Sequence, residues 1–196
     1  KMKTQSRKVY LDVLKILACF AVILQHNADL SISEPSIWGV HFLFCYIGRF
    51  AVPNLTPELL PDYKFEIGKG VTYREGGDVS IIANGYMVHL ALEAADILAA
   101  EGISAEVLNI HTVKPLDAEL IEASARKTGA VVTAEEHSVI GGLGSAVCES
   151  LSEHYPVPVL KVGVEDKFGK SGQVPELLEL YGLTAANIAD KARRAV

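Results

Sequence analysis

The side chains best suited to chemistry crowd into one short stretch of this 196-residue chain. The apolar run Ala130–Ala134 ends in Glu135, Glu136 and His137, and Gly141-Gly142-Leu143-Gly144 follows four residues later. Carboxylates beside an imidazole suit general acid–base work or metal binding. Neighbours on a strand point to opposite faces, however, so three adjacent residues cannot all meet one ion. No second ligand cluster is visible, and a loop that contacts a neighbouring domain or subunit is the simpler reading. Gly141, Gly142 and Gly144 stand where a helix begins, and free N–H groups there can hold a phosphate or another anion. The stretch lacks the Lys-Ser/Thr of a phosphate loop and the full dinucleotide fingerprint. Close packing of a helix on a sheet is the competing reason for these glycines. Glu135, Glu136, His137, Gly141, Gly142 and Gly144 are therefore candidates for an interface or an anion loop. No catalytic, cofactor-binding or metal-ligating residue is assigned.

Other reactive groups are scattered. His89 falls on a predicted helix and reads as a surface or satisfied histidine. His111 lies just past a predicted strand, where it could face a pocket. Lys167, Lys170 and Ser171 could meet an anion, or form a solvated loop. Cys19, Cys45 and Cys148 are far apart and odd in number, which fits neither a disulfide framework nor a zinc site. A reducing, cytoplasmic setting follows for the part that holds Cys148. The net charge of −6 argues against nucleic-acid binding, which needs basic clusters.

The elements that position these residues alternate. A short edge strand is predicted at Val71–Arg74 and a buried strand at Val79–Ala83. Asn84-Gly85 turns the chain into an amphipathic helix, Tyr86–Ala100, stopped by Gly102. A strand at Ala105–Ile110 is followed by Asp117, placed to N-cap a helix over Ala118–Lys127 that ends at Gly129. A strand at Ala130–Ala134 leads through the glycine cluster to a helix at Ser145–His154. A strand at Val157–Val164, broken near its start by Pro158, precedes closing helices at Pro175–Tyr181 and Ala185–Ala195, the last capped by Thr184. Alternating strands and helices imply an α/β fold of three layers, αβα, with a mostly parallel central sheet of about five strands.

The first third has a different character. Residues 1–62 hold six basic and five acidic residues, so the rest of the chain carries the negative charge. An apolar helical segment is expected from Val9 to His26, but its longest unbroken apolar run is only Ile16–Leu24. A membrane-spanning helix needs about 20 mainly apolar residues, so membrane contact is open only through residues 9–52. A cleaved signal peptide fits poorly, because Gln25-His26-Asn27 is not a small-residue site. Pro57 and Pro61 mark a linker. The expected division is 1–53, an apolar helical segment; 54–63, the linker; and 64–196, the α/β domain.

Two resemblances follow. RKVYLDVLKILACFAVILQH with IWGVHFLFCYIGRFAVP resembles the start of acyltransferase-3 family membrane proteins. Lys15 and His26 have that family's spacing, with Lys where Arg is usual. Such enzymes need about ten membrane helices, so the resemblance implies a remnant and a fusion or chimera rather than acyl transfer. Residues 63–196 resemble the transketolase C-terminal domain. The match is carried by EIGKG (Glu66–Gly70), REGGDVSIIANG (Arg74–Gly85), the stretch Ala91–Asp117, AEEHSVIGGLGSAV (Ala134–Val147), VGVEDKFGKSG (Val162–Gly172) and LLELYGLTAANI (Leu177–Ile188). Pyruvate dehydrogenase β subunits and deoxyxylulose-phosphate synthase hold related domains; the KFGKSG loop and the YGL helix favour transketolase.

That resemblance implies a C-terminal, non-catalytic assembly domain of a thiamine-diphosphate- and magnesium-dependent enzyme that transfers ketol groups between sugar phosphates. The family carries its cofactor on an N-terminal and a middle domain, and no GDG-type metal motif stands in this sequence. The implied partners are those domains, or a subunit that carries them, in a homo-oligomer. No cofactor is expected on this chain alone, which is expected to be inactive. The alternatives are a membrane-tethered fusion and a stand-alone protein- or anion-binding module.

Overall fold

The computed structural model describes residues 65–196. The apolar segment, the linker and the acyltransferase-like piece with Lys15 and His26 lie outside the described residues. Five strands and five helices follow in chain order: β1 Val71–Arg74, β2 Val79–Ala83, α1 Met87–Ala100, β3 Ala105–Asn109, α2 Ala118–Thr128, β4 Val131–Ser138, α3 Leu143–His154, β5 Val159–Val164, α4 Val174–Tyr181 and α5 Ala185–Ala195. The strands form one sheet in the order β1-β3-β2-β4-β5. β2 pairs in parallel with β3 and β4, and β4 with β5; β1 is antiparallel to β3 at one edge. Among the described residues, no helix is long and apolar enough to cross a membrane.

The strand order follows from burial. β2, VSIIA, is buried at every position, as a central strand of a sheet covered on both faces must be. Its odd-numbered residues Val79, Ile81 and Ala83 join Val107, Val132 and Ala134 in a core with α1 and α5. Ile82, Leu108 and Val131 face the opposite way, into a second core with α2 and α3. By the same two-residue alternation Ser80, Glu106, Thr133 and Glu135, all buried, belong to the α2–α3 face. The fully buried strand residues on the α1–α5 face are therefore apolar, and the α2–α3 face carries every buried polar strand residue among those described.

The helices start and stop where local chemistry says they must. The Asp117 carboxylate accepts the Leu120 N–H at 3.3 Å, and Gly129 closes α2 in the left-handed conformation at φ 72°. Thr184 Oγ1 accepts the Asn187 N–H at 3.2 Å at the start of α5. Behind α1, Gly102 takes φ 85° and Ile103 N–H bonds back to Leu98.

α3 begins at Leu143, two residues before the expected Ser145, and several other ends move by one residue; two further differences have a clear physical cause. β5 begins at Val159 rather than Val157, because Pro158 has no N–H to give; its carbonyl accepts Val131 N–H instead. β4 continues past Ala134 to Ser138, so Glu135, Glu136 and His137 lie in a strand and not in the loop after it. A register shift falls between Ala134 and Ser138, after which Ser138 pairs with Val164. Pairing with β5 overrides the weak strand preference of Glu-Glu-His.

Candidate functional site

The C-terminal ends of parallel strands are where open α/β sheets place their functional loops. Here that edge holds the end of β4, the loop 139–142 and the start of α3. Glu135 is the pivot. It is 2% exposed, and its side chain turns under α3: Oε2 accepts the Leu143 N–H at 2.7 Å and Oε1 the Gly144 N–H at 2.9 Å. The N-terminus of a helix presents unpaired N–H groups and partial positive charge, and it favours an anion. In this fold the chain's own carboxylate occupies that position.

The glycines follow from the same contact. A Cβ on Gly142 would run into the Glu135 carboxylate and stand 2.9 Å from the Ser138 carbonyl. A Cβ on Gly144 would meet Thr133 Oγ1 at 2.7 Å and Lys161 Cδ at 2.9 Å. Gly141 meets nothing, but its φ of 75° suits glycine. Its N–H donates to Ser145 Oγ at 2.9 Å, and Ser145 Oγ donates to the Val139 carbonyl at 3.3 Å. Lys161 Nζ reaches the same carbonyl at 3.3 Å. The loop is thus tied to α3 and β5.

The six candidates divide into two sets. Glu135, Gly142 and Gly144 form the internal support of α3, while Glu136, His137 and Gly141 are exposed. Ile140, 65% exposed, stands among the second set. Among the described residues, no group of three or more His, Cys, Asp or Glu side chains is arranged to hold a metal ion.

The isolated candidates are also placed. His89 is half-buried, edge-on to Tyr86 with centroids 4.5 Å apart. His111 is half-buried beside Phe65, with rings 4.7 Å apart. Burial holds its pKa below the usual value, against opposing pulls from the Lys69 backbone and Asp117. Lys167, Lys170 and Ser171 are exposed, and Cys148 is a free, partly exposed thiol on α3.

Two features were missed at the level of sequence. Asp117 caps α2 and also accepts the Gly70 N–H at 2.8 Å, which docks the 66–70 turn on the helix. Lys69 Nζ stands 3.4 Å from Glu119, whose hydrogen bond raises the lysine's pKa. At the opposite end of the sheet, the buried Glu106 carboxylate bonds to Ser80, Ser124 and Lys127. Lys127 also reaches Glu75 at 2.8 Å, and these two carboxylates raise its pKa, Glu106 foremost. A glutamate inside AEVLNI and a serine inside VSIIA were the available signals: a charge in an otherwise apolar strand requires a buried partner.

Residues 68–188 match the family described as transketolase, C-terminal domain. The chain is 58% identical over 129 residues to the 6-deoxy-6-sulfo-D-fructose transketolase subunit of Clostridium sp. (strain MSTE9), covering 66% of this chain and 40% of that protein. It is 52% identical over 128 residues to 1-deoxy-D-xylulose-5-phosphate synthase of Heliobacterium modesticaldum, covering 65% of this chain and 20% of that one. A solved structure described as a split gene transketolase, inactive beta4 tetramer, superposes with a TM-score of 0.67 at 56% identity, over 74% of this chain and 45% of that one. The chain spans less than half the length of these relatives.

Proposed function

The chain belongs to the transketolase C-terminal domain family, and we propose on that premise that it is the assembly domain of a thiamine-diphosphate-dependent enzyme that transfers ketol groups between sugar phosphates. Its role is to pack beside the domains that hold the cofactor and magnesium, carried on the same polypeptide or on a separate subunit. One observation carries the reading. The anion-ready N-terminus of α3, at the functional edge of the sheet, is held by Glu135 of this same chain. The exposed residues of that edge, Glu136, His137 and Gly141, then serve as an interface with a neighbouring domain. Relatives described as transketolase subunits support a separately encoded partner.

The test is complementation. The chain is mixed with a polypeptide that carries the family's N-terminal and middle domains, thiamine diphosphate and magnesium, and ketol transfer is measured. Turnover that requires both components supports the assembly role. Equal turnover by the partner alone refutes it.

The domain is proposed to begin near residue 64 and to work in the cytoplasm. The first 53 residues lie outside the family match, and their charge and apolar pattern support a different, acyltransferase-3-like origin. Recovery of the intact chain without detergent would rule out a membrane anchor at residues 9–52.

A further inference from the structure

The segment 165–173 links β5 to α4, and every residue in it is exposed. Among the described residues, two hydrogen bonds alone tie 165–172 to the rest of the domain, and both go to one atom. The Tyr181 hydroxyl accepts the Lys170 N–H at 2.8 Å and donates to the Phe168 carbonyl at 3.0 Å, so it uses both roles open to a phenol. The Tyr181 ring itself packs against the α1–α5 core. The fastening point is therefore fixed, and the segment depends on it.

The balance at this point is close. Ordering a loop costs conformational entropy at every residue, whereas a neutral hydrogen bond gains little over one to water. Burial does not offset that cost, since Phe168, the one large apolar side chain of the segment, is 97% exposed. Asp166 stands at φ 23°, the only non-glycine residue among those described with a positive φ, a conformation that side chains resist. Strain and entropy favour release; one hydroxyl opposes them.

We propose that 165–173 is a two-position strap and that the Tyr181 hydroxyl is its latch. In the closed position the strap is pinned at Phe168 and Lys170. In the open position it swings from its ends at β5 and α4, Asp166 relaxes, and the sheet and helices stay folded. β5 runs parallel to β4, and Val139 N–H bonds to the Val164 carbonyl at 3.1 Å. The strap thus springs from the same sheet edge as the loop 139–142, and the latch sets the shape of that edge. This inference stands independently of the assembly role.

Two measurements on the whole chain test it. Amide hydrogen exchange of the parent should show Lys170 N–H opening at a rate that low urea leaves unchanged, because release of the strap exposes little new surface. Exchange at Lys170 that follows global unfolding overturns the proposal. Limited trypsin digestion, with cut sites read by mass spectrometry, then compares the parent with Tyr181→Phe, which keeps the ring and removes both bonds. Cleavage after Lys167 and Lys170 should accelerate about tenfold, the equivalent of about 1.4 kcal/mol, while cleavage after Arg126 and Lys127 in α2 stays at the parent rate. An acceleration below about threefold, or an equal one at the α2 sites, overturns the latch.

Discussion

Glu135 offers the sharpest perturbation of the site. Its carboxylate accepts two backbone N–H groups, at 2.7 and 2.9 Å, in a setting only 2% exposed. Glu135→Gln preserves the shape and one acceptor, but turns an amide NH2 towards the other N–H group. A hydrogen bond to a charged group is worth about 1.5–3 kcal/mol, so the loss should be about 2–3 kcal/mol. Glu135→Ala removes both bonds and leaves a space, for a loss of about 3–5 kcal/mol. Urea unfolding followed by circular dichroism reads this directly: with a slope of about 2 kcal/mol/M, Glu135→Gln lowers the midpoint by about 1–1.5 M. Glu135→Ala also vacates the helix terminus. Acetate or phosphate at about ten times its dissociation constant should then restore about 1.4 kcal/mol to that variant and nothing to the parent. A loss below about 0.5 kcal/mol in Glu135→Ala would refute the reasoning. Equal stabilisation of parent and variant by the anion would show that the terminus is open.

Further predictions concern packing, the second buried carboxylate and pH. A Cβ on Gly76 would fall on the backbone of Ala105 and Glu106, so Gly76→Ala should cost about 3 kcal/mol in urea unfolding; Gly77 has open space and Gly77→Ala should stay within about 0.5 kcal/mol. Lys127→Met strips the 3%-exposed Glu106 of its cation and should cost about 2–3 kcal/mol by the same measurement, with Lys127→Arg recovering most of the loss. His111 has a folded-state pKa below its usual 6.5, so the unfolded chain binds its proton first as pH falls. Stability from this residue is therefore full above about pH 6.5 and declines below it. The difference in unfolding midpoint between the parent and His111→Asn should shift in favour of the variant over that window, and a pH-independent difference would contradict it.

The parts of the fold legible in the sequence are those set by local chemistry. β2 and β3 are apolar runs bounded by Gly and Asn, and α1 shows its buried face at helical spacing. Asp117, Gly129 and Thr184 mark their helix ends through capping chemistry that acts over three or four residues. What stayed hidden depends on partners distant in sequence. Glu135–Ser138 reads as a loop because nothing local reveals that Val164 waits to pair with Ser138. Glu135 reads as a possible ligand because its true acceptor role appears only when α3 folds back over β4. Glu106 and Lys127 meet only once α2 lies across the sheet. The glycine cluster was legible as a helix start; which atom sits in the space those glycines leave was not.

The central claim is that this chain supports a thiamine enzyme without itself holding the cofactor. Isothermal titration of thiamine diphosphate with magnesium into the purified chain tests it most directly. The account predicts no saturable heat beyond dilution. A one-to-one isotherm with a dissociation constant in the micromolar range would contradict it.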